Sequence, residues 1–220
     1  MKLTRYGQSC ILIESEGKRI LIDPGYMGLT DSIIEKDWTN IDAIFVSHKH
    51  RDHIDENAVV KIIKSSNSVV YTSKEVSKEF PKIIFKPIKV GTKISIGKIN
   101  VEVVDSVHGY MPLMRGPKEI NENLGFMITE GKNRVYFTGD TIGFKNDYKC
   151  DVIIVPVSGN GPVLGSFEAA LFSKATDAKI AIPVHYDNPM FNVNLDEVKQ
   201  DFEKVGVKCK ILDIGQSLEL

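Results

Sequence analysis

Cysteine is scarce in this sequence. There are three, Cys10, Cys150 and Cys209, odd in number and far apart. None has a neighbour at metal-ligand spacing, so a disulfide framework and a thiolate zinc cluster are both excluded. They read as buried small hydrophobes in a reducing compartment, and the expected location is the cytoplasm. Long hydrophobic runs are missing too. The longest, such as "VIIVPV", are strand-sized and too short to cross a bilayer. "MKLTRYGQSC" has no apolar stretch of signal-peptide length. Neither sign of charge dominates: Lys plus Arg total 28 and Asp plus Glu 29. That balance gives no basic footprint for nucleic acid and no field for an anionic membrane. No low-complexity tract, linker or repeat divides the 220 residues, and a single domain over 1–220 is expected.

What is present is a dense pattern of short strands. "KLTRYG", "SCILIESEG" and "KRILIDPG" read as consecutive hairpins, and "IDAIFVS" as a buried strand. "DENAVVKIIKSS" places Ala58, Val59, Ile62 and Ile63 on one helical face behind an Asp55 N-cap. The second half repeats this order, with paired strands in "LGFMITEG" and "NRVYFTGD" and buried ones in "DVIIVPVS" and "KIAIPVHYD". "NLDEVKQDFEKVG" is the best helix, capped by Asn194 and ended by Gly206. Hairpins followed by helices between buried strands predict two packed sheets with helices outside.

Within "VSHKHRDHIDE" lie His48, His50, Asp52 and His53, an H-x-H-x-D-H pattern directly after a buried strand. Side chains two apart on a strand point the same way, so His48 and His50 are expected to share a face. A turn then aims Asp52 and His53 into the same volume. Imidazole and carboxylate suit zinc, iron or manganese. The other two histidines also stand at strand ends, His108 in "VDSVHG" and His185 in "IPVHYD". Asp140 of "FTGDT" is the same kind of residue, a carboxylate whose two oxygens can bridge two metals.

In this order, these four elements resemble the metallo-β-lactamase superfamily. "GQSCILIESEGKRILIDPG" is similar to the start of its small prokaryotic hydrolases, the branch near the ascorbate-6-phosphate lactonase-like proteins. The resemblance implies an α/β fold (α+β type), a four-layer αβ/βα sandwich with the site at one edge between the sheets. It implies that His48, His50 and His108 hold one metal, that Asp52, His53 and His185 hold a second, and that Asp140 bridges them. Asp23 would orient a ligand histidine through its free ring nitrogen. The cofactor set would be two divalent ions, zinc first, with manganese or iron as alternatives.

The expected function is metal-dependent hydrolysis of an ester, lactone or phosphoester of a small molecule. A metal-bridging hydroxide would attack, and Asp52 would also serve as the catalytic proton carrier. Candidate substrate contacts are Arg51, Tyr186, and Ser158 and Asn160 in the Gly-rich "PVSGNGPVLG". In the long connection 109–123, Tyr110, Met111 and Met114 would cover the metals or serve an interface in a homo-oligomer. Three rivals are weaker. Diiron redox members carry a carboxylate where this chain has His50. Nuclease members add a strand-binding arm, leaving a small phosphodiesterase as the nearer alternative. A non-catalytic metal or ligand sensor would not require so complete a ligand set.

Overall fold

The computed structural model describes residues 1–27, 31–109, 122–160 and 162–220. Among these described residues the chain lays down two seven-stranded sheets. The first contains β1 (Lys2–Arg5), β2 (Ile11–Ser15), β3 (Lys18–Ile22), β4 (Ala43–Phe45), β5 (Val69–Thr72) and β6 (Phe85–Pro87). Its helices are α1 (Asp31–Lys36), α2 (Glu56–Ser66) and α3 (Lys74–Glu79). The second contains β7 (Lys93–Ile96), β8 (Ile99–Ser106), β9 (Asn123–Glu130), β10 (Asn133–Phe137), β11 (Val152–Pro156), β12 (Ile180–Val184) and β13 (Lys208–Cys209). Its helices are α4 (Ser166–Ala175) and α5 (Leu195–Lys204). The last strand, β14 (Ser217–Glu219), returns to the first sheet and pairs antiparallel with β1.

Both halves change pairing midway. β1, β2 and β3 are joined by antiparallel hairpins, and β3 to β6 then run parallel. β7 to β10 are antiparallel, and β10 to β13 parallel. Parallel neighbours need long crossovers, and the helices sit in them. Side-chain alternation then sorts each strand between two cores. Ile11, Ile13, Val135 and Phe137 face the core between the sheets. Leu12 faces the helix side of the first sheet, and Tyr136 the helix side of the second. That is why these strands are apolar throughout rather than alternating. Phe45 meets Phe126 across the inter-sheet core, ring centroids 5.4 Å apart. Fully burying one such side chain stabilises the fold by roughly 1.5–3 kcal/mol.

The expected helices and caps are present. Asp55 accepts from the Ala58 amide at 3.0 Å and caps α2, whose Ala58, Val59 and Ile62 are buried. Asn194 caps α5 by accepting from the Asp196 and Glu197 amides. The architecture is the four-layer αβ/βα sandwich. Among the described residues, no helix is long and apolar enough to cross a membrane. The carboxyl ends of β1, β3, β4, β8, β10 and β12 carry the residues described next. Ligand sites in such sheets lie outside these ends, where the chain leaves the ladder.

Candidate metal centre

β4 stops at Phe45, three residues before His48. Strand periodicity therefore does not orient His48 and His50, contrary to the sequence expectation. A bend does. The His53 and Ile54 amides both donate to the His50 carbonyl, at 2.9 and 3.1 Å, coiling the segment tightly. This brings His48 Nε2 to 3.0 Å from His50 Nδ1. The "DPG" segment after β3 packs directly on the coil. The Asp55 amide donates to the Pro24 carbonyl at 2.9 Å, and the Tyr26 amide to the Arg51 carbonyl at 3.1 Å. A Cβ on Gly25 would lie 1.8 Å from the Asp52 carbonyl oxygen, so only glycine allows this approach.

Asp140 sits at the centre, almost fully buried. Its Oδ2 is 3.0 Å from His185 Nε2, 3.7 Å from His108 Nε2 and 3.8 Å from His48 Nε2. Its Oδ1 is 3.2 Å from His53 Nε2. The ligand atoms form two groups, each with mutual distances within 4.8 Å. One is His48, His50, His108 and Asp140; the other is Asp52, His53 and His185. Asp23, His48 and His53 form a third grouping, which the hydrogen bonds resolve differently.

On four of the five histidines, His48, His53, His108 and His185, the ring nitrogen facing away from the centre is occupied. His53 Nδ1 lies 2.7 Å from Asp23 Oδ2. Ser47 Oγ donates to the same oxygen at 2.6 Å, so it accepts from His48 Nδ1 at 2.9 Å. His108 Nδ1 donates to the Gly109 carbonyl at 3.0 Å. Ser158 Oγ donates to the Asn160 carbonyl at 2.8 Å and accepts from His185 Nδ1 at 3.0 Å. Each outer bond places the proton on Nδ1 and leaves the Nε2 lone pair pointing inward. Four inward lone pairs therefore converge on one carboxylate. His53 Nε2, His108 Nε2 and Asp140 Oδ1 are buried without a hydrogen-bond partner. Groups of this kind are stable when cations satisfy them. The all-nitrogen-and-oxygen donor set fits zinc, iron or manganese.

Charge tells the same story. Burial opposes ionisation of Asp140, but the imidazoles of His185 and His53 overcome it and hold the carboxyl well below its ordinary range. Burial likewise opposes a charge on His185, yet Asp140 pushes it up to about 9. His53 is raised well above its usual value against burial by Asp140, Asp52 and Asp23. Without metal, protons take the place of cations on these two rings. Both rings must lose them to offer lone pairs, so metal affinity should rise with pH, up to about 9 for His185. Zinc competition titrations at about pH 6 and about pH 8 should show roughly tenfold tighter binding per pH unit for each proton displaced. A flat profile contradicts this.

Comparison with known proteins fits the geometry. A family model described as "Beta-lactamase superfamily domain" matches residues 2–185, a span that includes every residue of both ligand groups. The chain belongs to the beta-lactamase superfamily. A UPF0173 metal-dependent hydrolase of Carboxydothermus hydrogenoformans is 30% identical, with all of both chains covered. A second protein of that name, from Bacillus thuringiensis, is 29% identical over the same full coverage. Among solved structures, Igni18, a metallo hydrolase from Ignicoccus hospitalis, superposes with a TM-score of 0.82 at 21% identity, covering 100% of this chain and 98% of that one. That likeness concerns the fold.

In this beta-lactamase superfamily chain the expected substrate contacts fare differently. Ser158 stands behind His185, and its hydroxyl is committed to that ring and to Asn160. Asn160 turns back on Ser158, its Nδ2 donating to the Ser158 carbonyl at 3.0 Å. The Tyr186 hydroxyl donates to the Leu212 carbonyl at 3.2 Å, and burial pushes it up to about 12. It faces the C-terminal segment, where its proton is committed to that carbonyl. Lys49 pairs with Glu75. Arg51 is exposed and lines a 410 Å³ groove with Tyr26, Asn57 and Phe80, which contains none of the ligand side chains. Arg51→Ala should therefore leave kcat/KM within about twofold, as surface changes usually do; a tenfold rise in KM contradicts this. Tyr110, Met111 and Met114 lie outside the described residues.

Two residues at the site were not foreseen. Ser47 links Asp23 to His48, and only its position before the first histidine hinted at this. Gln8, fully buried, donates from Nε2 to Asp52 Oδ2 at 2.9 Å. A glutamine in a β-turn carries no such signal.

Proposed function

We propose that this chain is a metal-dependent hydrolase whose centre takes two divalent ions, zinc foremost, and that it cleaves an ester, lactone or phosphoester of a small molecule. The observation that carries this is the set of inward Nε2 lone pairs around Asp140, their tautomers fixed from outside. His48, His50 and His108 would hold one ion, and Asp52, His53 and His185 the other, with Asp140 shared. When bound, such ions lower the pKa of water to about 7, making hydroxide available at neutral pH, and polarise the oxygen under attack.

The chain's own residues supply position and proton handling. Asp23, Ser47, Ser158 and the Gly109 carbonyl hold the rings in register, so little reorganisation is needed when substrate arrives. Asp52 is the carboxylate best placed to carry a proton. Its side chain is 20% exposed, against 2% for Asp140 and none for Asp23. Burial opposes its ionisation, but His53 and His185 draw it well below the ordinary range, so it is fully ionised at neutral pH and free to ligate. Among the described residues, Lys49 is paired with Glu75 and Arg51 lines a separate groove, so neither is placed as an anion clamp.

The test is removal of metal with a chelator, reloading with zinc, manganese or iron, and a screen of lactones, esters, phosphodiesters and phosphorylated sugars. Hydrolysis should be lost on chelation and restored by at least one metal. Absence of turnover on every class with every metal contradicts the reading.

A further inference from the structure

The turn between β1 and β2 reaches the metal centre through one side chain. β1 runs parallel to β3, so its carboxyl end points to the edge where Asp23, His48 and His185 gather. There the chain folds back, with the Tyr6 amide donating to the Cys10 carbonyl at 2.8 Å and the Cys10 amide to the Gly7 carbonyl at 3.1 Å. This holds Gln8 at φ 55°, a left-handed conformation that a non-glycine residue rarely adopts without compensation.

The compensation is threefold, and all of it lies on the same half of the site. The Gln8 amide nitrogen of the backbone donates to Asp187 Oδ2 at 2.7 Å. Its backbone carbonyl accepts from the His185 amide at 3.2 Å. Its side chain donates to Asp52 Oδ2 at 2.9 Å. The side-chain orientation is fixed by charge, because turning the amide over would set Oε1 against a carboxylate. Oε1 is buried without a partner, so no second bond explains the rotamer. Asp187 is itself anchored by the buried guanidinium of Arg5, which also donates to the Leu212 carbonyl at 3.1 Å and lies 4.3 Å over the Tyr186 ring. A rigid chain of contacts thus runs from the N-terminal strand to Asp52 and His185.

We propose that Gln8 is a positioning residue for the second metal subsite. It fixes Asp52 through its amide and His185 through its backbone carbonyl, without touching the His48, His50 and His108 group. This rests on the two-metal reading above. Loss of a bond behind a metal ligand typically weakens metal affinity by about 10–100-fold. The effect should fall on one ion only.

The experiment is a titration of the full-length, metal-free protein with zinc alone, in wild type, Gln8→Met and Gln8→Glu. Met keeps the length but removes the donor; Glu keeps the shape but opposes Asp52 with a like charge. Wild type should take up two equivalents. Gln8→Met should take up the first with unchanged affinity and the second about 10–100-fold more weakly. Gln8→Glu should be weaker still at the second step, with the first intact. If Gln8→Met does not fold, the isosteric Gln8→Glu decides alone. Two equivalents bound at wild-type affinity by the variants overturn the inference and leave the two-metal reading standing. Equal weakening at both steps also overturns it, because that is the signature of a general structural role. Wild type that takes up a single equivalent overturns both.

Discussion

Asp140→Asn is expected to bind at most one metal ion and to lose more activity than the ~100-fold typical of a residue behind the ligands. The side chains are the same size, so the buried site should still fold around it. What changes is charge and donor pattern. Asp140 Oδ2 faces His185, His108 and His48, and Oδ1 faces His53. An amide has one acceptor oxygen, and its nitrogen carries protons directed at lone pairs the metals would use. It also removes the one negative charge that both ligand groups share. Metal analysis of purified and zinc-reloaded variant, with steady-state kinetics, checks this. Retention of two tightly bound ions contradicts the shared position of Asp140.

Asp23→Ala is expected to be the most destabilising change near the site. Asp23 accepts from the Ser47 amide at 2.7 Å, the Ser47 hydroxyl at 2.6 Å and His53 Nδ1 at 2.7 Å, all fully buried. Each donor left unpaired costs about 1–3 kcal/mol. Asp23 also sits at φ 49°, which Asp and Asn tolerate and Ala does not. A loss of roughly 3–6 kcal/mol should appear in denaturant unfolding of the metal-free protein. Asp23→Asn separates the two roles. It keeps the backbone and an acceptor for the Ser47 amide, but turns N–H groups toward His53 Nδ1. The ring must then carry its proton on Nε2, where a metal would bind. A small stability loss with a metal affinity lower by about 10–100-fold is expected. Unchanged zinc affinity in the Asp23→Asn variant would show that His53 does not depend on this bond.

Much of the fold was legible because burial on two sides leaves a plain mark. Strands such as "ILI" in β2 and "VIIVP" in β11 are apolar at every position, and their flanking helices carry caps of the expected type. The candidate metal centre was legible because its residues are chemically unusual and all five histidines stand beyond strand ends. The route by which His48 and His50 converge was not. Strand periodicity predicts a shared face, whereas a bend stabilised by bonds to the His50 carbonyl produces it. Contacts made by ordinary residues were the least visible. Gln8, Ser47 and Ser158 act through hydrogen bonds to Asp52, Asp23 and His185, which lie 44, 24 and 27 positions away. Nothing local in the sequence encodes such a partner. Tyr186 shows the converse: its place beside a ligand histidine suggested substrate, but the ring packs under Arg5 and its hydroxyl serves Leu212.

The proposed hydrolase requires two cations that share Asp140. Crystals of zinc-loaded protein measured on both sides of the zinc absorption edge test it most directly. Two anomalous peaks per chain are expected, one among His48, His50 and His108, the other among Asp52, His53 and His185, both in contact with Asp140. A single peak at full zinc loading, or peaks that leave Asp140 uncoordinated, would contradict it.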